Sequence, residues 1–556
     1  MAAGSGRSAE SGDEIRIMLR LRPHQQRDSP IDIPYRSVGA LLAARAEQNG
    51  DKIFLICPGK HEEISSYGDF HNRQMAIADQ LRQRGLTKGN RVSLISANSP
   101  EFLLFYFGAL TLGLTVVPIN PELSPPEIQY IIRDCGSKHV FYNASLDSKV
   151  LLVRNGLSSL SIAFADLQSL IEADSNRVST RADSTTGIDP TDEAVIIYTS
   201  GTSGNPKGVV LCHLNLLADA NAIAECFRFS TDTRTLCVLP LFHNNGQVTT
   251  LLAPLYAGGS TVIVKGKPNL MSFWALVEHY QVTWTSVMAS ILSFLSSIPA
   301  ERTDKTLRGI LCGGQVLARS VQDRFESRFG VSVFEGYGLT ETTSFSCING
   351  FPEEQRRTGS IGRPLSTNDM AIIDERGQQV APGVEGEICI RGPNVATEYL
   401  GLVEKNQTSF ANGWFHSGDY GWMDADGYFY FGSRRDFLII KGGENIYGSE
   451  LENVLYQHAA VAECAVIGIP DELWGEDICA FVQRKENTFV TPTELKEFCR
   501  AKIAAYKQAK IIIMIDDLPD LQEIPKGPTK KVLYRQLQQY YANMVGRRKT
   551  SEGGKT

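Results

Sequence analysis

Tyr198-Thr199-Ser200-Gly201-Thr202-Ser203-Gly204-Asn205-Pro206-Lys207-Gly208 is the stretch on which the reading of this chain turns. It follows the apolar run Ala194 to Ile197, so it lies where a buried strand leaves a sheet. Its hydroxyl and glycine residues let the backbone come close to an anion and present N–H and O–H donors to it. Lys207 adds a point charge suited to phosphate. The spacing is not that of a Walker loop, because G-x-x-x-x-G-K-[ST] is missing, and this excludes a P-loop kinase. The competing reading is a flexible surface turn. Against it stand seven hydroxyl or glycine residues and a lysine beside a buried strand.

Around this loop, from about residue 35 to 430, helical stretches alternate with short β-branched runs such as Arg91 to Ile95, Thr261 to Val264 and Gly309 to Cys312. That rhythm predicts α/β units with buried parallel strands. Phe102 to Ile119 is apolar enough to raise the membrane question. Asn98 and Ser99 are N-cap residues, Pro100 suits a first turn and Gly113 interrupts the run, so it reads as a buried helix feeding a buried parallel strand. Glu385 to Arg391 alternates like a half-exposed strand of a smaller sheet or barrel. A second compact segment starts near Phe437, with a helix from about Gly448 and a strand at Ala465 to Ile469. The expected division is a flexible tail over 1–30, a large domain over 31–434, a small domain over 437–542 and a flexible tail over 543–556.

At 556 residues the chain is too long for one core. A net charge of −7 argues against a nucleic-acid binder. The eleven cysteines show neither C-x-x-C nor zinc-ligand spacing, which predicts reduced core thiols and a cytoplasmic setting. The Gly/Ser- and Arg-rich beginning lacks the apolar core of a secretory signal, and the polar end is not a peroxisomal address.

Further motifs follow in order: Gly336-Tyr337-Gly338-Leu339-Thr340-Glu341-Thr342; Trp414-Phe415-His416-Ser417-Gly418-Asp419; Gly432-Ser433-Arg434-Arg435-Asp436; Leu438 to Ile446 with Gly442-Gly443; and Ile524-Pro525-Lys526-Gly527-Pro528-Thr529-Lys530-Lys531-Val532. With the Ser/Thr/Gly loop, these resemble the signatures of the adenylate-forming (AMP-binding) superfamily over about residues 35 to 540. In pattern the chain is most similar to acyl-CoA synthetases and 4-coumarate-CoA-ligase-like enzymes.

The resemblance implies an α/β fold: a large N-terminal domain of parallel sheets flanked by helices, a small barrel-like sheet, and a small mobile α+β C-terminal domain. It implies ATP, Mg²⁺ and coenzyme A as co-reactants. Attack of a carboxylate on ATP brings anion against anion, and hard oxygen ligands suit the metal that relieves this. By resemblance, Thr199, Ser200, Gly201, Thr202, Ser203, Gly204, Lys207 and Thr340 contact the phosphates, Glu341 holds Mg²⁺ and Tyr337 lies against adenine. Asp419 accepts from the ribose hydroxyls, and Arg434 touches the ribose. Asp436 is the hinge, and Gly442 and Gly443 line the thiol tunnel. Lys531 bridges the substrate carboxylate and the ribose, although Lys530 stands where the family has glycine and Ser433 where it usually has glycine.

For the acid, His243 in Phe242-His243-Asn244 resembles the gate of the acyl pocket, and Gly313-Gly314-Gln315 resembles the segment where adenine and acyl group meet. Apolar Val287 and Met288 lean toward a fatty or aryl acid. The expectation is an acid–thiol ligase using coenzyme A. The alternatives are a stand-alone ligase loading an acyl carrier protein, and a catalytically silent relative acting as a binding protein.

Overall fold

The computed structural model describes residues 21–27, 31–172, 187–199, 205–315, 317–442, 444–500, 502–527 and 532–552. Among these residues the apolar β-branched runs assemble into four sheets.

The largest sheet has nine strands among the described residues. Its parallel centre runs Val333–Tyr337, Gly309–Gly313, Trp284–Val287, Arg234–Cys237, Ser260–Ile263 and Ile53–Cys57. A second sheet, seven-stranded among the described residues, places Glu193–Thr199 beside Thr115–Ile119, Arg91–Ile95, His139–Tyr142 and Ala163–Asp166, all parallel. At its other edge the chain turns back. Lys207–Cys212 pairs antiparallel with Glu193–Thr199, so the Ser/Thr/Gly loop joins two hydrogen-bonded strands.

The wholly apolar run now has its explanation. Ser99 Oγ caps helix Pro100–Thr111 by accepting from the Phe102 N–H at 3.1 Å. The helix packs in one core with side chains from both large sheets, including Val92, Leu94 and Val116 from one and Phe54, Leu55 and Leu311 from the other. A helix with sheets on opposite sides has no face left for polar residues. No helix among the described residues is long and apolar enough to cross a membrane.

A third sheet is antiparallel: Asp369–Ile373, Gly386–Arg391, Phe415–Met423, Phe429–Arg434. Its second strand departs from the expected half-exposed pattern, since Ile388, Cys389 and Ile390 are all fully buried. The two isoleucines enter one cluster with Cys347, Phe415 and Phe429, while Cys389 packs on the other face against Ala371, Ile373 and Trp414. The fourth sheet contains Ile439–Lys441, Glu444–Ile446, Val461–Asp471, Gly475–Arg484 and Ile511–Met514, backed by helix Gly448–Leu455.

Parts of both expected tails, 21–27 and 543–552, are described, while 1–20, 28–30 and 553–556 lie outside the described residues. Residues 21–27, placed in a flexible N-terminal tail by composition, strap across the third sheet. His24 donates from Nε2 to the Ala396 carbonyl at 2.9 Å and stacks on Phe410, and Gln25 donates to the Val395 carbonyl at 2.9 Å. Burial pushes the His24 imidazole down to about 4, so the ring is a neutral donor. Arg27 then pairs with Asp369 at 2.8 Å. At the other end, residues 543–552 continue helix Tyr534–Glu552, which is anchored by Leu537, Tyr540 and Tyr541 on the apolar back of the fourth sheet. The eleven cysteines are free thiols, ten of them buried and Cys226 half-buried.

Phe107 lies in the central helix with aromatic neighbours Phe54, Phe70 and Tyr106. Phe107→Ala is expected to destabilise the protein by about 3–5 kcal/mol. A calorimetric scan should show the first unfolding transition clearly lowered.

Candidate active site

Two polar corners face the end of the parallel strands. The first is built on Asp419, which lies directly across the antiparallel ladder from Arg434. Its side chain is 3% exposed, with Oδ1 3.0 Å from Arg434 Nε. Oδ2 accepts from the Tyr337 hydroxyl at 2.7 Å. Tyr337 ends strand Val333–Tyr337, the last of the parallel run, so this one carboxylate joins the nine-stranded sheet to the four-stranded one. Burial, and then the Asp419 charge, raises the Tyr337 phenol well above its ordinary value and keeps it a donor. A carboxylate has about four acceptor sites, so Asp419 can still take hydroxyl donors from a ligand.

The second corner is built on Glu341, in the 3₁₀ turn Thr340–Thr342. Tyr399 donates to Glu341 Oε1 at 2.8 Å, and the Ala396 N–H donates to the Glu341 carbonyl at 2.8 Å. Lys207 Nζ stands 5.9 Å over the Tyr399 ring. Thr199 and Lys207 are register partners, and they close the base of the Ser/Thr/Gly loop. Ser200, Gly201, Thr202, Ser203 and Gly204 lie outside the described residues. A single carboxylate beside a lysine suits a magnesium-class ion, which binds few protein oxygens and fills its shell with water and phosphate oxygens.

Between the corners the backbone is tightly held. A Cβ on Gly338 would come 1.7 Å from the Ser344 carbonyl oxygen, so only glycine fits there. Thr343 adopts φ +68°, which is strained for a β-branched residue. It is held by its own hydroxyl, which donates to the Asn394 carbonyl at 2.6 Å, while Asn394 Nδ2 donates back to Thr342 O at 3.2 Å. Beneath this turn Asp219, fully buried on helix His213–Cys226, accepts from the Phe345 N–H at 3.3 Å. Burial raises its carboxyl well above the usual range.

The remaining candidates divide. Gly313 pairs with Gly336 in the ladder, and Cβ atoms on these glycines would strike the Phe345 ring at 2.5 and 2.6 Å. Gly314 follows at φ +83°. His243 opens the turn into a π-helix, Asn245–Leu252, and its neighbour Asn244 donates to Thr340 O at 3.4 Å. Wide helical turns of this kind are frequent at functional sites. Gly442 donates its N–H to Trp474 O at 2.9 Å, beside its own sheet. Asp436 sits in the short turn Arg435–Phe437. Gly443, Lys530 and Lys531 lie outside the described residues. The segment carrying the two lysines is pinched at its base, where Lys526 bridges Val532 and Leu533 N–H donates to Pro525 O at 2.8 Å.

Tyr399, Asp219 and Asn394 escaped sequence reading because no local pattern marks them. Each is 50 residues or more from the motif it supports. Another set missed by spacing is Glu387, Cys389 and His416, whose donor atoms all lie within 4.8 Å of one another.

Comparison with known proteins bears on this geometry. A family model described as AMP-binding enzyme matches residues 42–400, and one described as AMP-binding enzyme C-terminal domain matches residues 450–523. The chain is 34% identical over 498 residues to an oxalate–CoA ligase of Arabidopsis thaliana, covering 87% of this chain and 95% of that protein. It is 33% identical over 522 residues to the long-chain-fatty-acid–CoA ligase FadD13 of Mycobacterium tuberculosis, covering 92% and 99%. Among solved structures it resembles the o-succinylbenzoate coenzyme A synthetase of Bacillus subtilis in complex with ATP and magnesium ion. There the TM-score is 0.78 at 28% identity, covering 89% of this chain and 98% of the other.

The Asp219 carboxyl yields a test. The folded chain keeps that proton to higher pH than the unfolded chain, so stability falls as pH rises from the ordinary carboxyl range toward the raised folded value. Asp219→Asn preserves the shape and removes this penalty. Its melting temperature, relative to the unmodified protein, is expected to be higher at pH 8 than at pH 4.5.

Proposed function

The chain belongs to the family of AMP-binding enzymes, and from that premise we propose which of its residues activate a carboxylic acid with ATP and pass the acyl group to coenzyme A. It is an acyl- or aryl-CoA ligase: acid and ATP give acyl-adenylate and pyrophosphate, and the thiol then displaces AMP to give the thioester.

The observation that carries the assignment is the placement of Tyr337 and Glu341 on one rigid turn, each tied to a different corner. That arrangement supports reading one carboxylate as ribose-accepting and the other as metal-holding. In this reading Asp419 takes the ribose hydroxyls with Arg434 beside it, and Tyr337, Gly313 and Gly314 border the adenine. Thr199, the loop Ser200 to Gly204, Lys207 and Thr340 hold the phosphates. Glu341 would hold the magnesium ion, which supplies charge neutralisation as pyrophosphate leaves. Lys531 orients the acid carboxylate for attack at the α-phosphorus. The small domain then turns about Asp436, withdrawing Lys531 and bringing Gly442 and Gly443 to the thiol path. No protein nucleophile is required.

The acid we assign is a fatty or aryl one. Ser286 donates to Asn245 Oδ1 at 2.7 Å, which draws the end of strand Trp284–Val287 to the His243 turn. Phe242, Val287 and Met288 bring no fixed cation there to meet a second carboxylate, and apolar linings with few polar groups suit an acyl chain or ring. Coenzyme A is preferred to a carrier protein as acceptor, because the relatives named above act on coenzyme A.

Acid-dependent exchange of labelled pyrophosphate into ATP tests the reading across fatty, aryl and amino acids. Exchange is expected with a fatty or aryl acid, falling about 10²–10³-fold in Lys531→Ala and in Glu341→Gln. Folded, ATP-binding protein that supports no exchange with any acid would overturn it in favour of a silent binding protein.

A further inference from the structure

Strand Phe415–Met423 pairs with Gly386–Arg391 at His416↔Cys389 and again at Tyr420↔Glu387. Between those pairs Ser417, Gly418 and Asp419 face only Ile388, so the strand bulges outward just where Asp419 is needed. Bulges re-aim side chains but strip backbone groups of their ladder partners. Gly418, at φ +73°, has such an N–H, and Glu387 Oε1 accepts from it at 2.8 Å. The other oxygen, Oε2, accepts from His416 Nδ1 at 2.8 Å. Ser417 Oγ completes the lock by donating to Ile388 O at 2.6 Å and accepting from the Asp419 N–H at 3.0 Å.

Glu387, Cys389 and His416 could be read as a metal-binding trio by composition. The hydrogen bonding argues otherwise. Nδ1 is already engaged by Glu387, and Nε2 is buried with no hydrogen-bond partner among the described residues. That pattern puts a proton on Nδ1. A metal at Nδ1 would force the proton onto Nε2, where nothing accepts it. Burial works against the Glu387 charge, but the His416 and Gly418 donors outweigh it and hold its carboxyl below the ordinary value.

We propose that Glu387, oriented by His416, is a positioning residue that locks the Ser417–Asp419 bulge and so sets the enzyme's preference for a nucleotide carrying ribose hydroxyls. The proposal rests on the assignment of Asp419 to the ribose.

The test compares binding of AMP and of 2′,3′-dideoxy-AMP by titration calorimetry to the full-length protein and to Glu387→Ala, Glu387→Gln, His416→Ala, His416→Asn and Asp419→Ala. The unmodified protein should prefer AMP, and that preference should shrink about tenfold or more in Glu387→Ala while dideoxy-AMP binding holds. Glu387→Gln, which keeps the shape if the alanine variant does not fold, should move the same way. His416→Asn, whose amide stands in for Nδ1–H, should retain the preference that His416→Ala loses. Undiminished preference in a folded Glu387 variant overturns the proposal, as does equal loss of both ligands, which marks a merely structural role. No preference in the unmodified protein, with Asp419→Ala indistinguishable from it, overturns the ribose assignment beneath it.

Discussion

A buried carboxylate must be paired, and the pairing of Asp419 governs how the sheets meet. Its partners come from separate sheets: Tyr337 from the end of the nine-stranded sheet and Arg434 from the strand beside it in the four-stranded sheet. Neither sheet can shift against the other without breaking the Tyr337 bond to that buried charge. Asp419 is thus a structural pin that keeps acceptor capacity to spare. In a cleft, a group held rigid for stability is also pre-organised for binding.

The Glu341–Tyr399–Lys207 corner repeats the device with the seven-stranded sheet. Tyr399 belongs to the short edge strand Glu398–Tyr399, paired to Lys207–Cys212, and it reaches Glu341 on the turn that continues from Tyr337. The turn, which continues from the nine-stranded sheet at Tyr337, is thus tied to the seven-stranded sheet through Tyr399, while Tyr337 itself is tied to the four-stranded sheet through Asp419. Its strained Thr343 is held from below by Asn394, and the buried Asp219 and the strap residues His24 and Gln25 support the flanking segments. Strain of this kind persists only where the surroundings over-determine the backbone, and buried polar groups with fixed partners supply that.

The large architecture was legible in local chemistry. Period, capping residues and β-branched runs predicted the helix at Pro100–Thr111, the strands at Arg91–Ile95 and Gly309–Gly313, and the later helix from Gly448. Misreadings came where burial is decided by what lies across space. The strand Gly386–Arg391 alternates in sequence, yet both its faces are covered. The polar, Arg-rich residues 21–27 read as tail, yet their side chains find the Asp369 carboxylate on the third sheet and the Val395 and Ala396 carbonyls just beyond it.

What the sequence determined by itself was the family of motifs and their order, because loops that meet an anion or a ribose need particular residue types at close spacing. The motifs holding Lys207, Tyr337, Thr340, Glu341, Asp419 and Arg434 could all be located there, while the roles expected of all but Lys207 came from resemblance to the family. Only the tertiary structure decided which residues hold those groups in place. Tyr399 donates to a carboxylate 58 residues away, Asp219 supports a backbone N–H 126 residues away, and Glu387 caps an N–H 31 residues away. Each is an ordinary residue in its local context. Its partner is set by sheet order and strand register, which depend on the packing of the whole core rather than on neighbours in the chain.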